Sequence, residues 1–217
     1  MSKEDVKTWT GEKLDISWDK RLCIHVAECG RAEGELFVGG RDPWCNPDST
    51  PTMPAIEVVK RCPTGALSYN RKDDGEGESA PEVNTATVVP RGPLYFHGEL
   101  NIAGAEDDME GVKYRAALCR CGASKNKPFC DNSHEESGFA DRGAVGAKGM
   151  GQDEPGGPLT IRKIPNGPLI LLGNLQIRAG NGEIRWKGQK AALCRCGHSA
   201  KKPFCDGAHA KAGFEAE

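Results

Sequence analysis

Six of the ten cysteines and two of the five histidines fall into one pattern that is written twice. Cys119-x-Cys121 is followed by Cys130 and, four residues on, by His134; Cys194-x-Cys196 is followed by Cys205 and His209. Thiolates and imidazoles are the side chains that hold transition metals. Two thiolates one residue apart can chelate one metal from a single bend of chain. Cys130 and His134, like Cys205 and His209, are spaced i, i+4, would share one face of a helix, and can take a second metal. The other four cysteines, Cys23, Cys29, Cys45 and Cys62, lie in the first third of the chain. Disulfides are rare in a reducing cytosol, where repeated cysteine spacings more often mean metal. By spacing alone a zinc site with Cys3His ligation stays open, although Cys-x-Cys is a poor match to the usual two-to-four-residue knuckle.

The elements that must position these donors are also duplicated. Residues 85–139 align with 160–214 at a constant offset and without gaps, and 24 of the 55 paired positions are identical, so the duplication is certain. In each copy the secondary structure reads as mostly β. Leu94–His97 and Leu169–Leu172 are short apolar runs between Gly-Pro and Gly, and Leu100-x-Ile102 and Leu175-x-Ile177 alternate like half-buried strands. Lys113–Leu118 is expected to be a strand leading into the first cysteine. Asp131–Ser137 and Asp206–Ala212 read as a turn or two of helix, with the aspartate as N-cap. The charged stretch 71–84 reads as a solvated linker and the glycine-rich stretch 140–159 as a loop between the copies, leaving a separate N-terminal unit, 1–70.

Composition narrows the function classes. The chain is 37% hydrophobic and 28% charged, with 28 glycines and 14 prolines, which is a soluble, loop-rich composition with little material for a large core. Units this small commonly need a metal or a cross-link as a staple. A net charge of −2 gives no reason to expect nucleic acid or an anionic membrane as partner, and no apolar run is long enough to span a bilayer. The opening MSKEDVKTWT shows no apolar leader, so a cytoplasmic location is expected. No nucleotide loop, catalytic triad or flavin fingerprint is present, and an autonomous enzyme is not expected.

Read out in full, the motif is Cys-x-Cys-x2-Ser-x3-Pro-x-Cys-Asp-(Gly/Asn)-(Ala/Ser)-His, from Cys119 to His134 and from Cys194 to His209. It resembles the mitoNEET-like CDGSH iron–sulfur family, and departs from the family pattern only at Asn132, where the family has Gly. Asn also tolerates unusual backbone angles. The resemblance implies two 2Fe–2S clusters, one held by Cys119, Cys121, Cys130 and His134 and the other by Cys194, Cys196, Cys205 and His209. It further implies an α+β fold of small β-rich units. Single-motif members pair as homodimers, so here the two copies are expected to pair within one chain as a pseudo-twofold intramolecular dimer, giving a monomer. Histidine in place of a fourth cysteine raises the potential and couples cluster retention to pH. On that ground acid is expected to release the clusters, and His134→Cys or His209→Cys to make the affected one more persistent.

Several neighbours have two readings. Arg120 and Arg195 either offset cluster charge or are exposed on a turn; Ser124 and Ser199 either bond the cluster or make a turn. Asp131 and Asp206 read as caps, and His97 and His198, unmatched in the other copy, as ordinary structural histidines. In the N-terminal unit, Cys23-x5-Cys29 with Cys62-Pro63-Thr64-Gly65-Ala66-Leu67 resembles a single-cluster bacterial ferredoxin, of a divergent type that also carries His25 and Pro43-Trp44. The resemblance implies a ferredoxin-like α+β domain. Its helix, about 54–60, would bring Ile56, Val58 and Val59 up to Cys62, with Trp18, Trp44 and Leu67 in a small core. Val26 stands where four-iron members have a central cysteine, so a 3Fe–4S cluster on Cys23, Cys29 and Cys62 is expected. Cys45 is read as a buried non-ligand; as a ligand it would close a 4Fe–4S cluster instead. Three clusters on a small chain suggest one-electron transfer to a redox partner protein. The alternative is a pH- or redox-sensitive donor or sensor that passes 2Fe–2S clusters to an apo-acceptor.

Overall fold

The computed structural model describes residues 5–146, 149–151 and 156–217; part of the loop expected over 140–159 lies outside the described residues. The N-terminal unit is a three-stranded antiparallel sheet of β1 (Val6–Thr10), β2 (Leu14–Asp19) and β3 (Leu67–Arg71), in that order, with helix α1 (Thr52–Lys60) packed on β3. Ile56 and Val59 come from one face of α1 and are buried with Trp9, Leu14, Ile16, Phe37 and Leu67. This matches the apolar spacing read in the sequence.

The duplicated region builds one larger sheet. Its strands are β4 (Thr85–Val88), β5 (Leu94–His97), β6 (Glu99–Ile102), β7 (Arg115–Leu118), β8 (Gly149–Met150), β9 (Pro158–Lys163), β10 (Leu169–Arg178) and β11 (Ile184–Leu193). The order is β6-β9-β10-β4-β5-β7, with β11 along the other edge of β10. Each repeat lends a strand to the other. In the parallel pair β6/β9, Asn101 faces Thr160 and Ile102 faces Ile161. The parallel pair β10/β4 repeats the relation with the copies exchanged, Gln176 facing Thr85 and Ile177 facing Ala86. The core follows from this exchange: Val88, Phe96 and Leu118 of the first repeat are buried with Leu159, Ile177 and Leu193 of the second. The α+β, β-rich expectation is met.

The repeats differ where the N-terminal unit docks. Repeat 2 runs as a long, bulged hairpin of β10 and β11, but in repeat 1 a 3-10 turn, Glu110–Lys113, takes the first residue of the expected strand, which begins only at Arg115. There Gly65 and Gly111 meet backbone to backbone: a Cβ on Gly65 would sit 2.3 Å from the Arg115 carbonyl oxygen, and Gly65 has φ 74°. Beside that contact Arg115 is buried and tied to the N-terminal unit. Its Nη1 donates to the carbonyls of Val59 and Cys62, both at 2.8 Å, and its Nη2 to that of Leu67 at 3.0 Å. Glu78 pairs with it at 2.8 Å and is itself buried. The stretch 71–84 is therefore not the fully solvated linker the sequence suggested. A buried guanidinium needs a counter-charge, and Glu78 is that charge.

Candidate metal centres

In each repeat the strand before Cys-x-Cys (β7 or β11) delivers the first donors, and the returning chain is tied to it. Cys119 N–H donates to Pro128 O at 2.9 Å and Cys130 N–H to Ala117 O at 2.9 Å; the second repeat has the same bonds from Cys194 to Pro203 and from Cys205 to Ala192, both at 2.8 Å. The four donors of each motif come in twos. Cys119 and Cys121 place their sulfurs 3.6 Å apart, and Cys130 Sγ lies 3.4 Å from His134 Nδ1. Cys194 and Cys196 are 3.6 Å apart, and Cys205 Sγ is 3.4 Å from His209 Nδ1. A tetrahedral ion with bonds of about 2.3 Å to sulfur and about 2.0 Å to nitrogen sets two sulfurs about 3.8 Å apart, and a sulfur and a nitrogen about 3.5 Å apart. Each pair thus spans one metal's ligand edge. Burial lowers the pKa of His134, which favours the neutral imidazole that can ligate.

Backbone N–H groups point at the same sulfurs. Ala123 and His198 donate to Cys121 and Cys196 at 3.4 and 3.5 Å, and Asn132 and Gly207 to Cys130 and Cys205 at 3.5 and 3.4 Å. Such bonds stabilise anionic sulfur. Asn132 and Gly207 both adopt left-handed φ, 73° and 86°, so asparagine takes up the glycine's role. Asp131 and Asp206 each accept two backbone N–H bonds across this bend; neither is the helix N-cap the sequence suggested, since Gly207 takes that position in repeat 2, without a side-chain cap bond. The segment after them is one helical turn in repeat 2, α2 (Ala208–Lys211), and only hydrogen-bonded turns in repeat 1.

Arg120 and Arg195 are each 1% exposed, which corrects the reading of exposed turn arginines. Arg120 donates to Gly92 O at 2.7 Å and Val89 O at 2.5 Å and pairs with Asp141; Arg195 donates to Gly167 O at 2.8 Å, Ile164 O at 2.6 Å and Glu217 O at 2.9 Å. Both clamp the two ends of their own repeat together. Ser124 and Ser199 are buried, donate to Phe129 O and Phe204 O, and accept a backbone N–H two residues on. Both are turn-makers. The two motifs meet at Cys121 and Cys196, which form a β-bridge. A Cβ on Gly122 would lie 2.6 Å from Cys196 O, and one on Gly197 2.4 Å from Cys121 O, so only glycine fits beside either cysteine.

In the N-terminal unit, Cys23, Cys29 and Cys62 line one apolar cavity of about 480 Å³ with Trp18, Trp44 and Val26. Burial and the neighbouring Cys62 and Cys23 thiols raise Cys29. The loop from Cys23 to Cys29 has His25 and Ala27 at φ 54° and 66°. Left-handed residues alternating with ordinary ones turn successive N–H groups to one side, the arrangement that cradles anions. Cys45 stands apart. It is 1% exposed in the core with Trp9, Leu36 and Phe37, is not among the residues lining the cavity, and burial pushes its thiol up to about 12. Thr64, which the sequence did not single out, is buried with its hydroxyl 3.4 Å from Cys62 Sγ, and accepts the Ala66 N–H. Its only sequence signal is its place after Cys62-Pro63. Trp9, another lining residue, keeps its buried indole N–H without an acceptor among the described residues.

Comparison with known proteins matches these parts. Residues 9–72 fit a family model described as a divergent 4Fe-4S mono-cluster, and residues 91–135 and 166–210 each fit the iron-binding zinc finger CDGSH type. The chain is similar to the uncharacterized protein YjdI of Escherichia coli strains K12 and O157:H7. That match is 38% identical over 66 residues, which are 30% of this chain and 87% of the relative. It is also similar to a CDGSH iron-sulfur domain-containing protein 2 homolog of Drosophila ananassae, 55% identical over 29 residues, 13% of this chain and 22% of that one.

Proposed function

Because the chain belongs to the CDGSH iron–sulfur family and carries a divergent single-cluster domain ahead of its two repeats, we propose that it is a one-electron carrier with two 2Fe–2S clusters and one 3Fe–4S cluster. The observation that carries this reading is the grouping of donors in twos. Paired edges of 3.6 and 3.4 Å in both repeats suit two metals per motif, one between two thiolates and one between a thiolate and an imidazole. When bound, such clusters supply a site that gains or loses one electron with little movement of the surrounding protein. The chain's own residues hold that site: backbone N–H groups offset thiolate charge, and the Arg120 and Arg195 clamps fix the loops.

The reciprocal strand pairing and the Cys121–Cys196 bridge support an internal pseudo-twofold dimer, hence a monomer in solution. Three cavity-lining thiols, with Cys45 in the adjoining core and not on the cavity wall, support three-cysteine ligation in the ferredoxin-like N-terminal unit. The family description names a 4Fe-4S cluster, and Val26 is why this chain is assigned three irons. No helix among the described residues is long and apolar enough to cross a membrane. We place the protein in the cytoplasm as a carrier for a redox partner protein, with no catalysis of its own. A second reading, donation of 2Fe–2S clusters to an apo-acceptor, draws on the partial exposure of Cys205 and His209. Mixing the loaded protein with apo-ferredoxin separates the two. Clusters that stay in place while cycling rapidly with a chemical reductant support the carrier, and rapid appearance of holo-ferredoxin supports the donor and rejects the carrier.

A further inference from the structure

The repeats match in their ligands but not in their surroundings. Ile24 and Val26, from the loop between Cys23 and Cys29, pack in one cluster with Tyr95, Ala117 and the repeat-1 ligand Cys130. A cleft of about 460 Å³ continues this contact, with His25, Asn132 and His134 among its walls. The N-terminal unit is held there firmly. Asn126 Nδ2 donates to Arg21 O at 2.7 Å, and Arg21 pairs with Glu106 and Asp108, both at 3.0 Å. In repeat 2 the position of Tyr95 is taken by Ile170, and Asp206 and Gly207 are exposed where Asp131 and Asn132 are half-buried; Cys205 is more exposed than Cys130, Cys196 is less exposed than Cys121, and His134 and His209 are both partly buried.

Resting on the reading that all three donor sets carry clusters, we propose that the two histidine-containing sites are inequivalent. The repeat-1 set is an inner site, coupled to the N-terminal thiols through the Ile24–Cys130–Tyr95 contact. The repeat-2 set is the outer site, where other molecules meet the protein. The Cys121–Cys196 bridge links the two, so contacts run from the N-terminal unit to repeat 1 and from repeat 1 to repeat 2. Magnetic and electronic coupling fall steeply with distance, and this arrangement gives only the inner site a close N-terminal neighbour.

The test uses the full chain with one ligand changed. Cys205→Ser leaves the inner site beside the N-terminal one, and Cys130→Ser leaves the outer. The microwave power that half-saturates the EPR signal of the reduced 2Fe–2S site is measured in each, before and after Cys62→Ser empties the N-terminal site. The expected result is a severalfold fall in the Cys205→Ser background and no change in the Cys130→Ser background. Equal responses, or none in either while iron analysis shows the N-terminal cluster present, overturn the inference alone. A chain that loads no N-terminal iron overturns the underlying reading and the inference with it. The unmutated protein provides a second measurement: 2Fe–2S absorbance lost to a chelator should fall in two phases, with His209→Cys slowing the faster one. A single phase, or slowing of the faster phase by His134→Cys instead, overturns the assignment of inner and outer sites.

Discussion

At the scale of single residues, the ligand histidines and Cys45 make opposite predictions. His209 Nδ1 faces Cys205 Sγ, so a thiolate introduced there adds a negative charge directly to the site. His209→Cys should lower that cluster's reduction potential by on the order of 100 mV or more, as all-thiolate ligation does relative to mixed ligation. Protein-film voltammetry reads the shift, and an unchanged potential would remove His209 from the ligand set. Cys45, by contrast, packs in an apolar core, where burial disfavours its thiolate. Cys45→Ala should leave iron and sulfide content unchanged and cost about 1 kcal/mol in denaturant stability. A raised thiol pKa means that stability present at about pH 9 and below is lost as pH rises toward 12. Cys45→Ala should therefore flatten the alkaline fall seen in the parent. The Cys-x-Cys and Cys-x3-His donor pairs were legible from spacing. The arginines were not, because Arg120 and Arg195 bond carbonyls about 30 residues upstream, which no local pattern encodes.

At the scale of elements, the seam between the N-terminal unit and repeat 1 depends on Arg115. Its guanidinium satisfies three carbonyls from α1, Cys62 and β3 and pairs with the buried Glu78. Arg115→Ala leaves a buried carboxylate and bare carbonyls, and should cost about 3–5 kcal/mol. Chemical denaturation followed by tryptophan fluorescence checks this, since three of the four tryptophans, Trp9, Trp18 and Trp44, lie in the N-terminal unit. A loss below 1 kcal/mol would mean that the seam is held by other contacts. Gly65→Ala should act at the same place, because its Cβ meets the Arg115 and Gly111 backbone and its φ is positive; a cost of about 2 kcal/mol or more is expected. Apolar alternation and Gly-Pro punctuation made β5, β6, β7 and β10 readable, but not the strands of the N-terminal unit or the partner strands β4, β9 and β11. The broken strand before β7 and the buried Glu78 were not, since both follow from docking of a unit distant in sequence. In Arg71–Glu78 the charge run hid one residue that turns inward.

At the scale of the whole molecule, the exchange of strands between repeats closes within the chain. β6 pairs with β9 and β10 with β4, so the edges that a single-motif protein would offer to a second copy are already occupied. Sedimentation of the loaded protein should give one species at 23.3 kDa; a stable species of twice that mass would contradict internal pairing. The duplication was plain in the sequence, but not the asymmetry that the N-terminal unit imposes on it, because the contact of Ile24 with the Cys130 cluster joins segments about 100 residues apart. The proposed chain holds three iron–sulfur clusters on eleven ligand residues. Iron and acid-labile sulfide per chain, with EPR of the protein as purified, test it most directly. About seven irons and eight sulfides per chain are expected, with an oxidised three-iron signal. Two zinc ions with no sulfide, or about four irons with no three-iron signal, would contradict it.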